Sequence, residues 1–161
     1  VNYEDLNISI ESIKENIDQA IWDYPNPFTV SIKVSNNEID QLGHANNQVY
    51  LDWMMKAAYE HSESLGLSVN DCLSIGVAMV AKRHEINYLS ATFLNDNLIV
   101  GTWIATNDNR FRSMRKYQII RMDDQKTILR AETDWVSLNI KNGKPQRMPD
   151  EFIRCYQPTI T

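Results

Sequence analysis

At 161 residues, 43% of them hydrophobic and 23% charged, the chain has the length and core-forming content of one domain. Its formal charge of −5 argues against a protein that tracks nucleic-acid phosphates, because that binding draws on a basic surface to release counterions. No run approaches the ~18 consecutive apolar residues of a membrane helix, since the best, Leu73 to Ala81, ends in Lys82-Arg83.

The N-terminal residues include Glu4, Asp5 and Glu11, where a secretory signal would carry basic residues and an apolar core, so a cytoplasmic location is expected. Ile10, Ile13, Ile17 and Ile21 recur at spacings of three and four, which predicts a short amphipathic helix. Pro25 and Pro27 end it. Residues 1–27 are therefore read as a helical extension that covers a neighbouring surface, and residues 28–161 as the main domain.

Phe28, Val30, Ile32 and Val34 alternate with polar residues as a half-buried strand does over Phe28–Ser35. A helix follows, with Asn46 or Asn47 as its N-cap, Tyr50, Met54, Ala57, His61 and Leu65 at helical spacing, and Gly66 as its stop. Val49 and Trp53 make it apolar on a further face, which predicts that a sheet wraps it. Turn clusters at Asn95-Asp96-Asn97, Asn107-Asp108-Asn109, Asp123-Asp124-Gln125 and Asn142-Gly143-Lys144 divide the remainder into strands near 75–90, 97–106, 112–122 and 127–140. Short turns between successive strands predict hairpins and an antiparallel sheet. Pro149, Asp150 and Glu151 open a short closing helix. The expected class is α+β, a sheet curled around one long helix.

The segment Asp40-Gln41-Leu42-Gly43-His44-Ala45-Asn46-Asn47 is the richest in chemistry. It sets a carboxylate and an imidazole ahead of a helix N-terminus, where free backbone N–H groups and the helix dipole hold an anionic oxygen. An acyl-transfer or hydrolysis site needs those parts. Gly43 allows the tight turn between them. An Asp in such a loop also serves as a turn or helix cap, and a lone His beside a Gly serves as a structural hydrogen-bonding group.

Asp-x-x-Gly-His-x-Asn-Asn-x-x-Tyr, followed by a long apolar helix and four strands, resembles the hotdog-fold acyl-CoA thioesterases of the 4-hydroxybenzoyl-CoA thioesterase-like superfamily over roughly residues 28 to 153. The resemblance implies that Asp40 is nucleophile or general base and that the backbone N–H of Asn47 holds the oxyanion. His44 would orient Asp40 or polarise the thioester. Tyr50 and Trp53 would line an acyl pocket, and Arg110 and Arg112 would bind the CoA phosphates. It further implies acyl-CoA as the partner and a homodimer or homotetramer with the site between subunits.

Two departures from relatives stand out. In the related plant acyl-carrier-protein thioesterases an Asn shares the work of the Asp and His, and Leu42 occupies its position here. Relatives commonly read Glu-Glu-Ala-Arg on the helix, where this chain has Met55-Lys56-Ala57-Ala58. The alternatives are a non-catalytic acyl-CoA-binding hotdog protein and an acyl-carrier-protein thioesterase.

Arg110, Arg112, Arg115 and Lys116, with Lys82 and Arg83 on another strand, also fit an exposed strand edge where cations discourage pairing. No His-Glu-x-x-His or His-x-His spacing supports a metal, and no Gly-x-Ser-x-Gly or phosphate-binding glycine loop is present. No cofactor is expected. Cys72 and Cys155 lie far apart without a Cys-x-x-Cys pattern and are expected as free thiols.

Overall fold

The computed structural model describes residues 21–160; the helix expected over Ser9–Ile21 lies outside the described residues except for its last residue. Five strands, β1 (Phe28–Lys33), β2 (Val77–Tyr88), β3 (Asn97–Asn107), β4 (Arg112–Arg121) and β5 (Lys126–Asn139), form one sheet in the order β1-β3-β4-β5-β2. Every neighbouring pair is antiparallel. Helix α1 (Asn47–Ser64) packs on one face, α2 (Val69–Ile75) precedes β2, and α3 (Asp150–Cys155) closes the domain. This is the α+β hotdog architecture that the motif implied.

Helix α1 begins where the Asn46 side chain accepts a hydrogen bond from Gln48 N at 2.9 Å, so Asn46 is the cap and Asn47 the first helical residue. Tyr50, Trp53, Met54, Ala57, Ala58 and His61 are buried, at helical spacings of three and four. The first five meet Val30, Leu98, Val100, Ile119 and Leu129 from the sheet. Complete burial of one such large apolar side chain contributes roughly 1.5–3 kcal/mol, so this stripe holds the helix in the curl of the sheet.

The hairpin expectation holds for β3-β4-β5 and fails for β2-β3. Strand β2 pairs with β5, from Val77 opposite Asn139 to Tyr88 opposite Leu129, and the chain then crosses to β3 near the other edge. Asn95-Asp96-Asn97 is consequently part of a crossover: Asn95 N donates to Val34 O and Val34 N donates to Asp96 O, tying it to the end of β1. The strand expected from residue 75 also starts later, because α2 occupies Val69–Ile75. Ser68 and Asp71 cap that helix reciprocally, Asp71 N donating to Ser68 Oγ and Ser68 N to Asp71 Oδ2.

Strand β4 is interior, flanked by β3 and β5, so the strand-edge reading of its cations is corrected. Among the described residues the edges are β1 and β2. Arg115 is also withdrawn from the exposed basic cluster: it is 3% exposed.

Residues just before β1 pack on the sheet opposite α1. Trp22 and Tyr24 meet the Trp103 ring edge to face, at centroid distances of 5.7 and 5.6 Å. Trp103 Nε1 donates to Pro25 O, and Arg130 donates to both carboxylate oxygens of Asp23. No helix among the described residues is long and apolar enough to cross a membrane.

Candidate functional site

The loop between β1 and α1 is a tight reversal. Ile39 and Ala45 form an antiparallel bridge, Asp40 N donates to His44 O at 2.8 Å, and Gly43 N donates to Asp40 O at 3.1 Å. Gly43 sits at φ +80 with open space where a Cβ would go, so glycine is needed there for backbone freedom and not for room. The loop is anchored beneath by Glu38. Its Oε1 accepts from Trp53 Nε1 at 2.9 Å and its Oε2 from Ser35 N at 2.8 Å, joining the loop to the core helix. Burial pushes the Glu38 carboxyl upward, but the bonds from Ser35 and Trp53 outweigh it and hold the group below the usual glutamate value.

Within the reversal Asp40 Oδ1 accepts from Leu42 N at 2.8 Å and from His44 N at 3.4 Å. These bonds orient the carboxylate through backbone amides. Among the described residues no donor pairs with its second oxygen. The His44 imidazole meets Phe93 edge to face at 5.3 Å. Among the described residues it is the His44 amide, and not its ring, that hydrogen-bonds Asp40.

At the first turn of α1 the amides are used unequally. Gln48 N is taken by the Asn46 cap and Val49 N donates to Asn46 O at 3.0 Å. Asn46 N donates to Glu38 O at 2.9 Å. No acceptor among the described residues engages Asn47 N, and an N1 amide has no partner inside its own helix. A donor at the positive end of an 18-residue helix is therefore left pointing outward from the fold's own hydrogen bonding.

Asp40, His44, Asn47 and Tyr50 line one cavity of about 510 Å³, closed on its other side by Tyr88 and the Leu89–Ala91 segment after β2. Tyr50 is 3% exposed; its hydroxyl bonds Thr92 Oγ1 and its ring meets Tyr88 edge to face. Tyr88 also donates to Asn47 O at 3.1 Å, fastening β2 to the start of α1. Thr92 and Ala91 carry no motif in the sequence, and only the crossover brings them here.

The remaining expected site residues lie elsewhere. Trp53 is buried in the core with its indole N–H on Glu38, and it does not line the cavity. Arg110 and Arg112 are exposed at the β3–β4 turn, where Asp108 Oδ1 accepts from the backbone N–H of both. That turn is at the far end of the 11-residue β3, whose beginning pairs with the end of β1 next to the Asp40 loop. Roughly 30 Å of strand separates the arginines from Asp40 within one chain. Among the described residues no group of three or more His, Cys, Asp or Glu side chains is placed to hold a metal.

This fold is shared with known proteins. Residues 34–154 match the thioesterase-like superfamily. Two curated relatives, the chloroplastic acyl-acyl carrier protein thioesterases ATL3 and ATL2 of Arabidopsis thaliana, are each 28% identical over 123 and 127 residues. The aligned regions cover 76% and 79% of this chain and only 64% and 66% of those proteins. Among solved structures, a 1,4-dihydroxy-2-naphthoyl-CoA thioesterase from Synechocystis superposes with a TM-score of 0.73 at 20% identity, over 81% of this chain and 96% of that one. A Staphylococcus aureus protein solved in complex with CoA gives 0.76 at 20% identity, over 88% and 92%.

Proposed function

The chain belongs to the thioesterase-like superfamily, and from that premise we propose that it hydrolyses the thioester of an acyl-CoA to a free carboxylic acid and CoA. The observation that carries the proposal is the sharing of one cavity by Asp40 and Asn47, whose N–H has no acceptor among the described residues. The thioester carbonyl oxygen accepts from Asn47 N, and the helix dipole favours the negative charge that develops on it. One such donor contributes roughly 3 kcal/mol to the transition state. Asp40 either attacks the carbonyl carbon, giving an anhydride that water opens, or takes a proton from the attacking water. In both routes CoA leaves as the thiol, and water, attacking the acyl carbon directly or in the anhydride, supplies the oxygen of the new carboxylate.

Because Arg110 and Arg112 stand far from Asp40 in one chain, their role toward CoA phosphates in this proposal requires a second copy. Among the described residues the outer side of β2 is an unpaired edge of 12 residues, which suits association of two copies. The proposal is therefore a homodimer or a homotetramer built from such dimers, with each cavity completed by a neighbour's β3–β4 turn. The free thiols of Cys72 and Cys155 agree with a reducing compartment, and a cytoplasmic location is part of the proposal.

A carrier-protein thioester is the second reading, favoured by the names of the two curated relatives. Both substrates present the same phosphopantetheine arm. The test is thiol release from short, medium, long and aromatic acyl groups on CoA and on acyl carrier protein, with wild type and Asp40→Asn. The Asn variant keeps the Oδ1 acceptor for Leu42 N and His44 N, so the loop stays in place. A loss of at least about a hundredfold, roughly 2.7 kcal/mol, supports the chemistry at Asp40. Binding of acyl-CoA by wild type without thiol release would replace the hydrolase reading with a binding protein.

A further inference from the structure

A second cavity, of about 550 Å³, lies at the opposite end of α1 from Asp40, between the last turns of that helix, α2 and the β2 side of the sheet. Its walls include Leu67, Leu73, Met79, Ile104 and Trp135, which are apolar, and Arg115 belongs to the same lining. That side chain is 3% exposed and forms no ion pair with any carboxylate among the described residues. Its partners are Nδ1 of His61 at 2.6 Å and Oγ of Ser62 at 3.3 Å. Ser62 is in turn held by the Tyr156 hydroxyl, at 3.1 Å. Burial, with the Arg115 charge, holds His61 well below the usual imidazole value, at about 4, so at neutral pH its ring is an uncharged acceptor.

A buried charge left with neutral partners is destabilising where an apolar residue would not be. A cavity wall is where such a charge gains a partner from outside the chain. The planar fork of an arginine matches a carboxylate through two parallel hydrogen bonds. A single cation among apolar walls suits one negative charge carried on an apolar body, and the carboxylate of Glu63 on the same lining works against a dianion. We infer that this cavity binds an amphipathic carboxylic acid, its carboxylate on Arg115 and its hydrocarbon between α2 and the sheet.

The inference stands on the cavity and not on the hydrolase reading, although a free acid is also the product that reading assigns. If both hold, such an acid binds at the end of α1 away from the same chain's Asp40.

Octanoate and octanol, which share a tail and differ in charge, are the probes. Binding is followed by calorimetry on the full chain, and occupancy is located by the rate at which a maleimide alkylates Cys72, which lines the cavity, against Cys155, which does not. Octanoate is expected to bind wild type at least about tenfold more tightly than octanol and to slow alkylation of Cys72 selectively. In Arg115→Met, a replacement of similar length without charge, the two probes are expected to bind alike. Should that variant fail to fold, the wild-type comparison of the probes and the Cys72 protection decide the matter alone. Equal binding of the probes to wild type, or octanoate binding that leaves Cys72 unprotected, would overturn the inference. Neither readout depends on turnover, so a failure here is separable from a failure of the thioesterase reading.

Discussion

Arg115 donates to Nδ1 of His61 at 2.6 Å, and both side chains are buried between the end of helix α1 and strand β4. The Phe28 ring stacks on the imidazole at 4.9 Å, so protonation of His61 would place a second positive charge beside the guanidinium with no water to screen it. The pairing therefore depends on a neutral histidine.

That dependence has a sign. In the unfolded chain His61 takes a proton near pH 6.5, while in the fold it resists until about pH 4. Between those values the unfolded state binds more protons, so stability falls as pH falls. The component is fully present above about pH 6.5 and is lost by pH 4, with a ceiling of about 3 kcal/mol. Thermal midpoints of wild type and His61→Gln from pH 7 to pH 4 measure it. The gap between the two curves is expected to shift against wild type as the solution is acidified, and a constant gap would show that His61 does not titrate in this window.

Glu38 joins the β1–α1 loop to the core through Trp53 Nε1 and Ser35 N. Glu38→Ala leaves an indole N–H in the core without its partner, which costs about 1–3 kcal/mol. Chemical denaturation is expected to show that loss. Turnover is expected to fall as well, because the β1–α1 loop that carries Asp40 loses its tether. Glu38→Gln, which retains an acceptor for Trp53, is expected to recover most of the stability.

Gly101 lies under the Trp22 ring, and a Cβ built there would stand 2.9 Å from Cε3 of that ring. Gly101→Ala is therefore expected to displace Trp22 from its edge-to-face contact with Trp103, at a cost of about 1–3 kcal/mol. A change in tryptophan fluorescence together with a lower unfolding midpoint is the expected result. Wild-type values for both would mean that the segment before β1 yields without cost.

Arg110 and Arg112 are exposed and lie at the end of the sheet away from Asp40. In the proposed dimer, replacing both by Ala is expected to raise KM for acyl-CoA about tenfold with little change in kcat, since they touch a part of the substrate that does not react. High salt is expected to raise the wild-type KM toward that of the variant, because exposed charge pairs are screened. An unchanged KM at low salt would remove these residues from substrate binding.

What could be read from the sequence was governed by near neighbours. The alternation of Phe28, Val30, Ile32 and Val34, the helical spacing from Tyr50 to His61 and the Asn46 cap each rest on backbone geometry within a few residues. The same holds for the Asp40 loop, whose bonds to Leu42 N and His44 N span two and four positions. Helix α2 was also locally signalled, by Ser68 and Asp71 in a capping box, but Ile75 and the apolar residues after it read as strand.

The remainder was decided by contacts between segments far apart in the chain. The pairing of β2 with β5 joins residues about fifty positions apart, and no local pattern distinguishes it from a hairpin with β3. That choice of partner brings Tyr88 and Ala91 to Asn47 and closes the Asp40 cavity. The position of β4 inside the sheet separates its arginines: Arg112 stays in solvent at the turn, and Arg115 is carried beneath α1 to His61. In sequence both belong to one basic run. Their different chemistry comes from desolvation, which depends on every element packed around a charge and so exists only once the sheet has closed on the helix.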